Sequence, residues 1–156
     1  MLAQVRPVFS VVIPMYNEAE IIGEMHRRLA AVMATLGAPW EVIYVNDGSR
    51  DASLSIVEVM RHADSHIALL NLSRNFGKEI ATTAGLDHTQ GDAVIVIDAD
   101  LQDPPEVIPR LVATWRAGYD VVYAQRRKRN GDTWLKKASA AAFYRIMRNL
   151  GDVPLP

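Results

Sequence analysis

Ala93-Val94-Ile95-Val96-Ile97-Asp98-Ala99-Asp100-Leu101-Gln102-Asp103 is the stretch that decides the fold. Its first five residues are apolar, and four of them are β-branched. Such a run reads as a strand covered on both faces, because a strand with one wet face alternates. Ala93 to Ile97 is therefore expected in the core. The chain then turns polar within one residue. Asp98, Asp100, Gln102 and Asp103 mark the point where the strand leaves the sheet. Asp103 stands where an N-cap is expected, with Pro105 and Glu106 in the first turn of a helix running to about Ala117. Gly118 ends that helix.

On either side of this strand the same alternation recurs. Phe9 to Pro14, Glu41 to Asn46 and Ile67 to Leu72 read as strands. Glu18 to Leu36 reads as a helix, with Ile21, Ile22, Met25, Leu29, Val32, Met33 and Leu36 on one stripe. Ala52 to Asp64 and Ile80 to Thr89 read as further helices, and Asp120 to Ala124 as a fifth strand. Strand and helix at this spacing predict an α/β fold, a mostly parallel sheet with helices on both faces.

The chain has 156 residues, enough for one domain and a real core. It has no cysteine, which excludes disulfides and thiolate chemistry. No apolar run approaches the roughly 20 residues of a membrane span. The net charge of −1 is unevenly spread. Residues 1–124 carry a balance of −7, and residues 125–150 carry +7. Two parts are expected: a core over 1–124, and a basic loop with an amphipathic helix over 125–156. An acidic body argues against a nucleic-acid partner. In the second part Trp134, Leu135, Ala138, Ala142 and Tyr144 interleave with Lys136, Lys137, Arg145 and Arg148. Helix 134–150 therefore suits a membrane surface. The alternatives are a packing helix or the pairing of two subunits in a homo-oligomer.

In parallel sheets ligands sit beyond the carboxyl ends of the strands. Each expected strand delivers polar residues there: Pro14-Met15-Tyr16-Asn17-Glu18, Asn46-Asp47-Gly48-Ser49, Ser73 to Lys78, Asp98 to Asp103, and Gln125 to Arg129. Asp98 and Asp100 share side-chain parity on an extended chain and can face one ligand. With the Gln102 amide they form a hard oxygen set suited to Mg²⁺ or Mn²⁺ on a diphosphate. The alternative is a turn role, weakened here because Asp103 already takes the cap. Asp47 lies in an Asp-Gly-Ser turn, where local reasons for Asp are strong. Its carboxylate can also meet a base or ribose. Lys78 or Arg74 can neutralise phosphate, and Tyr16 can stack on a base. His26, His62, His66 and His88 read as surface residues.

These segments resemble family 2 of the glycosyltransferases, with the GT-A fold, and within it the polyprenyl-phosphate branch. The resemblance rests on the order and spacing of Pro14 to Glu18, Asn46 to Ser49, Asn75 to Lys78 and Asp98 to Pro105. Leu72 to Glu79 and Thr133 to Arg145 are closer to the bacterial members. It implies that Pro14, Tyr16, Glu18 and Asp47 hold the nucleoside and that Lys78 lies near the donor. It places Asp98 at the ribose or metal, and Asp100 and Gln102 on the divalent ion. Arg126, Arg127 and Arg129 would meet the diphosphate or a lipid phosphate, Arg126 with a catalytic share alongside Asp98 and Asp100. Family members continue beyond this pattern, so a C-terminal shortening is expected.

The implied reaction moves a sugar from a nucleotide diphosphate, a UDP-sugar by the bacterial likeness, to a polyprenyl phosphate with inversion. The implied place is the cytoplasmic face of the cell membrane. Three other readings are open: a transferase acting on a saccharide hydroxyl, a non-catalytic nucleotide-sugar-binding module, and a nucleotidyltransferase. The last usually has a Gly-rich loop after its first strand, which Pro14 to Glu18 lacks. A dinucleotide-dependent dehydrogenase is disfavoured for the same reason.

Overall fold

The structure is a computed structural model that describes residues 6–125. Residues 6–122 form one unit. Its strands are β1 (Phe9–Met15), β2 (Trp40–Asn46), β3 (Ile67–Asn71) and β4 (Ala93–Val96). Its helices are α1 (Ile22–Thr35), α2 (Ser53–Ala63), α3 (Lys78–Leu86) and α4 (Ile108–Arg116), the last preceded by a 3₁₀ turn at Pro105–Val107.

The strands lie in the order β3-β2-β1-β4, all parallel. From β1 to β3 the chain moves outward along the sheet, and then it crosses back to place β4 on the other side of β1. Right-handed crossovers in the two directions send the helices to opposite faces. On one face α1, α2 and α4 cover Phe9, Val11, Ile13, Val42 and Tyr44. On the other α3 covers Val12, Ile43 and Val45, with Ala81 as its contact residue. β1 and β2 are therefore buried almost throughout, as their unbroken apolar pattern predicts. Each large apolar side chain buried there contributes roughly 1.5–3 kcal/mol. The reversal of strand order creates a crevice between β1 and β4 at the carboxyl edge.

Several expectations are corrected. Among the described residues β4 is an edge strand, and its burial alternates: Val94 and Val96 are 41% and 49% exposed. An apolar run is not itself a covered strand; it needs an element over each face, and among the described residues only one face of β4 has one. Residues 121–125 form no strand. They pair with no ladder partner among the described residues, and Val121 and Tyr123 are each 80% exposed. Asp103 does not occupy the N-cap position of a helix. The 3₁₀ turn begins behind Pro104, and α4 follows from Val107.

α1 starts at Ile22 rather than Glu18. The N–H groups of residues 17–19 donate to Ser49, Ser53 and Asp51, while Glu18 O accepts the N–H groups of Ile21 and Ile22, so residues 18–21 form a turn that leads into the helix.

His26 is not a surface residue. Its side chain is 13% exposed and lies between the Tyr44 hydroxyl, 3.1 Å from Nδ1, and Asp64 Oδ2, 3.1 Å from Nε2. Tyr44 is fully buried, so its hydroxyl needs a partner, and burial pushes its pKa far up. His66 continues the network, with Nδ1 2.6 Å from Asp64 Oδ1 and its ring stacked on Trp40. His62, His66 and His88 are exposed, as expected.

Partial burial opposes ionisation of Asp64, but hydrogen bonds from the His66 backbone and ring and from His26 outweigh it. The carboxyl is held below its usual range. A carboxyl lowered in the fold stabilises it above the unfolded pKa of about 4 and loses that contribution as pH falls further. Thermal unfolding against pH should show wild type more stable than Asp64→Asn at neutral pH. The gap should close below about pH 4. A gap that persists at lower pH would contradict this account.

Candidate active site

A pocket of about 290 Å³ opens at the crevice between β1 and β4. It is lined by residues at the carboxyl ends of all four strands: Pro14 near the end of β1 with Tyr16 and Glu18 after it, Asp47 after β2, Gly77 and Lys78 after β3, and Asp98 and Asp100 after β4. Seven of the residues expected at a site from sequence thus converge on one cavity at the switch point where such folds bind ligands.

Each loop has a local reason for its course. Asn17, at a φ of 57°, takes the left-handed conformation that Asn tolerates. Its N–H donates to Ser49 Oγ at 3.0 Å, and its Oδ1 accepts the Arg50 N–H at 2.8 Å. Glu18 N–H donates to the buried Ser53 Oγ at 2.7 Å, and Ala19 N–H to Asp51 Oδ2 at 3.1 Å. These bonds join the β1 and β2 loops and fix Tyr16 and Glu18 at the rim. Sequence analysis names Asn17 and Ser49 only within strand-end segments and gives Asp51 and Ser53 no role. Their signal was present as a run of short polar side chains, but such a run is also the ordinary composition of a turn and helix start.

The β2 and β3 loops are joined as tightly. Asn46 Nδ2 donates to Asn71 Oδ1 at 2.8 Å. Asp47, 3% exposed, accepts the Phe76 N–H on Oδ1 at 2.7 Å and the Gly77 N–H on Oδ2 at 3.0 Å. Lys78 then reaches across to β4, with Nζ 2.6 Å from Asp98 Oδ2. Arg74 does not line this pocket; its guanidinium lies 4.3 Å over the Phe76 ring.

Asp98 and Asp100 both face the pocket, but not by strand parity. β4 ends at Val96, and residues 99–103 turn, with Leu101 at a φ of 56°. Asp100 Oδ1 accepts the Gln102 N–H at 2.9 Å. Asp100 therefore shapes its own turn and also faces the cavity. Gln102 is exposed and is not among the residues lining the pocket. Arg126, Arg127, Arg129 and helix 134–150 lie outside the described residues.

The electrostatics are one-sided. Glu18, Asp47, Asp98 and Asp100 line the cavity against one basic residue, Lys78. The Glu18 carboxyl is held above its usual range by partial burial and by the charges of Asp100, Asp51 and Asp98. A further cation in such a field would favour an anionic diphosphate. Asp98 and Asp100 supply hard oxygens for one, so the residues present fit a Mg²⁺ or Mn²⁺ ion. Among the described residues no three His, Cys, Asp or Glu side chains gather as a ligand cluster. Such an ion would take its remaining ligands from phosphate oxygens, Gln102 or water.

Comparison with known proteins agrees with this geometry. A mannosyltransferase from Pyrobaculum calidifontis, solved with GDP-Man and Mn²⁺, matches with a TM-score of 0.58 and 29% identity, over 70% of this chain and 32% of that one. Glucosyl-3-phosphoglycerate synthase from Mycobacterium tuberculosis, solved with Mn²⁺ and UDP, matches with a TM-score of 0.52 and 28% identity, over 70% of this chain and 39% of that one. The fold is thus that of the GT-A glycosyltransferases. Bactoprenol glucosyl transferase of Shigella phage SfX is 46% identical over 137 residues, 88% of this chain and 45% of the relative. Undecaprenyl-phosphate 4-deoxy-4-formamido-L-arabinose transferase of Salmonella paratyphi A is 46% identical over 143 residues, 91% of this chain and 44% of the relative. The chain spans about half the length of the curated relatives it matches. The family model for glycosyl transferase family 2 matches residues 10–153, and the chain belongs to that family.

Proposed function

We propose that this chain carries the donor half of an inverting glycosyltransferase, which moves a sugar from a nucleoside diphosphate to a polyprenyl phosphate. The observation that carries the reading is the meeting of Asp98, Asp100 and Lys78 with Tyr16 in one pocket. Carboxylates for a cation, an ammonium for phosphate and an aromatic face for a base are the parts a nucleotide-sugar needs. Relatives named for bactoprenol and undecaprenyl-phosphate transfer support the lipid acceptor.

The residues divide the work. Tyr16, 38% exposed, offers a ring face to the base. Lys78 meets the diphosphate, giving up its contact with Asp98 as it does so. Asp98 and Asp100 would hold a divalent ion, with Gln102 as a further ligand. When bound, that ion supplies charge neutralisation for the departing nucleoside diphosphate. Pro14 and Glu18 close the nucleoside side of the cavity. A phosphate monoester acceptor is already anionic near neutral pH, so it needs alignment and cationic positioning rather than a strong general base. Arg126, Arg127 and Arg129 suit that task. The basic helix 134–150 would bring the chain to an anionic membrane at the cytoplasmic face. Among the described residues no helix is long and apolar enough to cross one.

A thermal-shift panel with UDP, GDP and their sugar conjugates, with and without Mn²⁺, tests the donor site. A ligand at about 100 times its dissociation constant adds roughly 2.7 kcal/mol. In a chain of this size that is a shift of about 5–10 °C. We expect it for one base, and only with Mn²⁺. Transfer of labelled sugar into undecaprenyl phosphate then tests the acceptor. No shift with any nucleotide would sink the reading. A shift without transfer would leave a nucleotide-sugar-binding module.

A further inference from the structure

Among the described residues, Asp47 is the only acidic or basic side chain in the buried interior. Its backbone is tied to the sheet, with its N–H donating to Met15 O at 2.9 Å. Both carboxylate oxygens are engaged by consecutive backbone N–H groups, those of Phe76 and Gly77. These groups stand immediately ahead of α3, whose first residue is Lys78. Gly77 has φ 100° and ψ 153°, a conformation open in practice to glycine alone. Two successive N–H groups converging on one anion form a backbone nest. Here the nest is filled by the protein's own carboxylate, so it is closed to a phosphate. The next side chain is the one that crosses to Asp98, at 2.6 Å.

The geometry points to Asp47 as a positioning residue for Lys78. Its carboxylate fixes the 76–77 backbone, sets where α3 begins, and so places the Lys78 ammonium at the phosphate side of the pocket. This rests on the pocket being a nucleoside diphosphate site and states which part of that ligand Asp47 serves. The family resemblance assigns Asp47 to the nucleoside. The hydrogen bonds link it, through Lys78, to the phosphates.

Three roles for Asp47 predict three different signs. A carboxylate that merely repels phosphate would, when neutralised, let pyrophosphate bind more tightly. One that reads the base would, when replaced, weaken uridine and UDP and leave pyrophosphate alone. A positioning residue would weaken pyrophosphate and UDP by the same factor and leave uridine alone.

The test is calorimetric titration of the whole chain with pyrophosphate, UDP and uridine in Mn²⁺ buffer. The proteins are wild type, Asp47→Asn, Lys78→Ala and the double variant. Asn keeps the shape but offers one acceptor oxygen, so one N–H faces an amide NH₂. We expect Asp47→Asn to weaken pyrophosphate and UDP by roughly ten-fold or more, with uridine unchanged. In the Lys78→Ala background the same change should cost almost nothing. Unchanged or tighter pyrophosphate binding would overturn the inference, as would full additivity with Lys78→Ala. A second measurement needs neither variant nor ligand. Hydrogen exchange by NMR should find the Phe76 and Gly77 amides protected in wild type, and exchange at the intrinsic rate would also overturn it. If wild type binds no nucleotide at all, the donor reading fails while this exchange result still decides whether Asp47 holds the loop.

Discussion

Asp98→Ala is expected to abolish the part of UDP binding that depends on Mn²⁺, and to reduce sugar transfer by at least about a hundred-fold. Its effect without metal should have the opposite sign. Lys78 Nζ is held 2.6 Å from Asp98 Oδ2, so the one cation that lines the pocket among the described residues is engaged by a carboxylate. Removing Asp98 releases that ammonium and deletes one of four acidic groups. Both changes favour a diphosphate. Each is modest, because the side chains of Lys78 and Asp98 are 58% and 34% exposed and solvent screens the pair. Titration with UDP in EDTA should show the variant binding as tightly as wild type or up to a few-fold tighter. In Mn²⁺ the wild type should gain strongly and the variant not at all. The difference between the two buffers is the informative quantity, because a misfolded variant would lose both. A variant that keeps the full Mn²⁺ enhancement would remove Asp98 from the metal site.

The sequence carried this pocket further than it carried the elements around it. Alternation says where strands end and so gave the loop segments that hold Tyr16, Asp47, Lys78, Asp98 and Asp100; the family resemblance singled out Pro14 and Glu18 within them. Parallel strands then bring those ends together whatever the details of packing. Features that depend on a distant partner were not legible. Val94 and Val96 are as apolar as the residues of β1, yet among the described residues β1 has a neighbour on each side and β4 is an edge. Val121 and Tyr123 have strand-forming side chains but, among the described residues, no ladder to join. His26 carries no local mark of burial; its partners lie 18 and 38 residues away. Ser53 looks like any helix-start serine, and only the fold shows its hydroxyl accepting the Glu18 N–H, 35 residues back.

Gly48→Ala is expected to be among the most damaging single substitutions outside the core. Gly48 has a φ of 66°, and an added Cβ would lie 2.5 Å from Arg74 C, 2.6 Å from Asn75 N and 2.8 Å from Arg74 Cα. Those atoms are backbone and cannot rotate aside. The left-handed conformation alone costs roughly 1–2 kcal/mol. The overlap forces the β2 and β3 loops apart and strains the Asp47 bonds to Phe76 and Gly77, for a total of about 3–5 kcal/mol. In a domain of this size that lowers the melting temperature by about 10 °C. Gly37 provides the control. Its φ is 62°, nearly the same, but nothing lies within 4 Å of its added Cβ. Gly37→Ala therefore carries the backbone cost alone, roughly 1–2 kcal/mol. Thermal unfolding of the two variants side by side separates conformation from contact. If Gly48→Ala proved no worse than Gly37→Ala, the close approach of the two loops would be wrong. Under the expected result the two loops are held as one piece, and any variant stable enough to fold should still lose pyrophosphate affinity through the displaced Lys78.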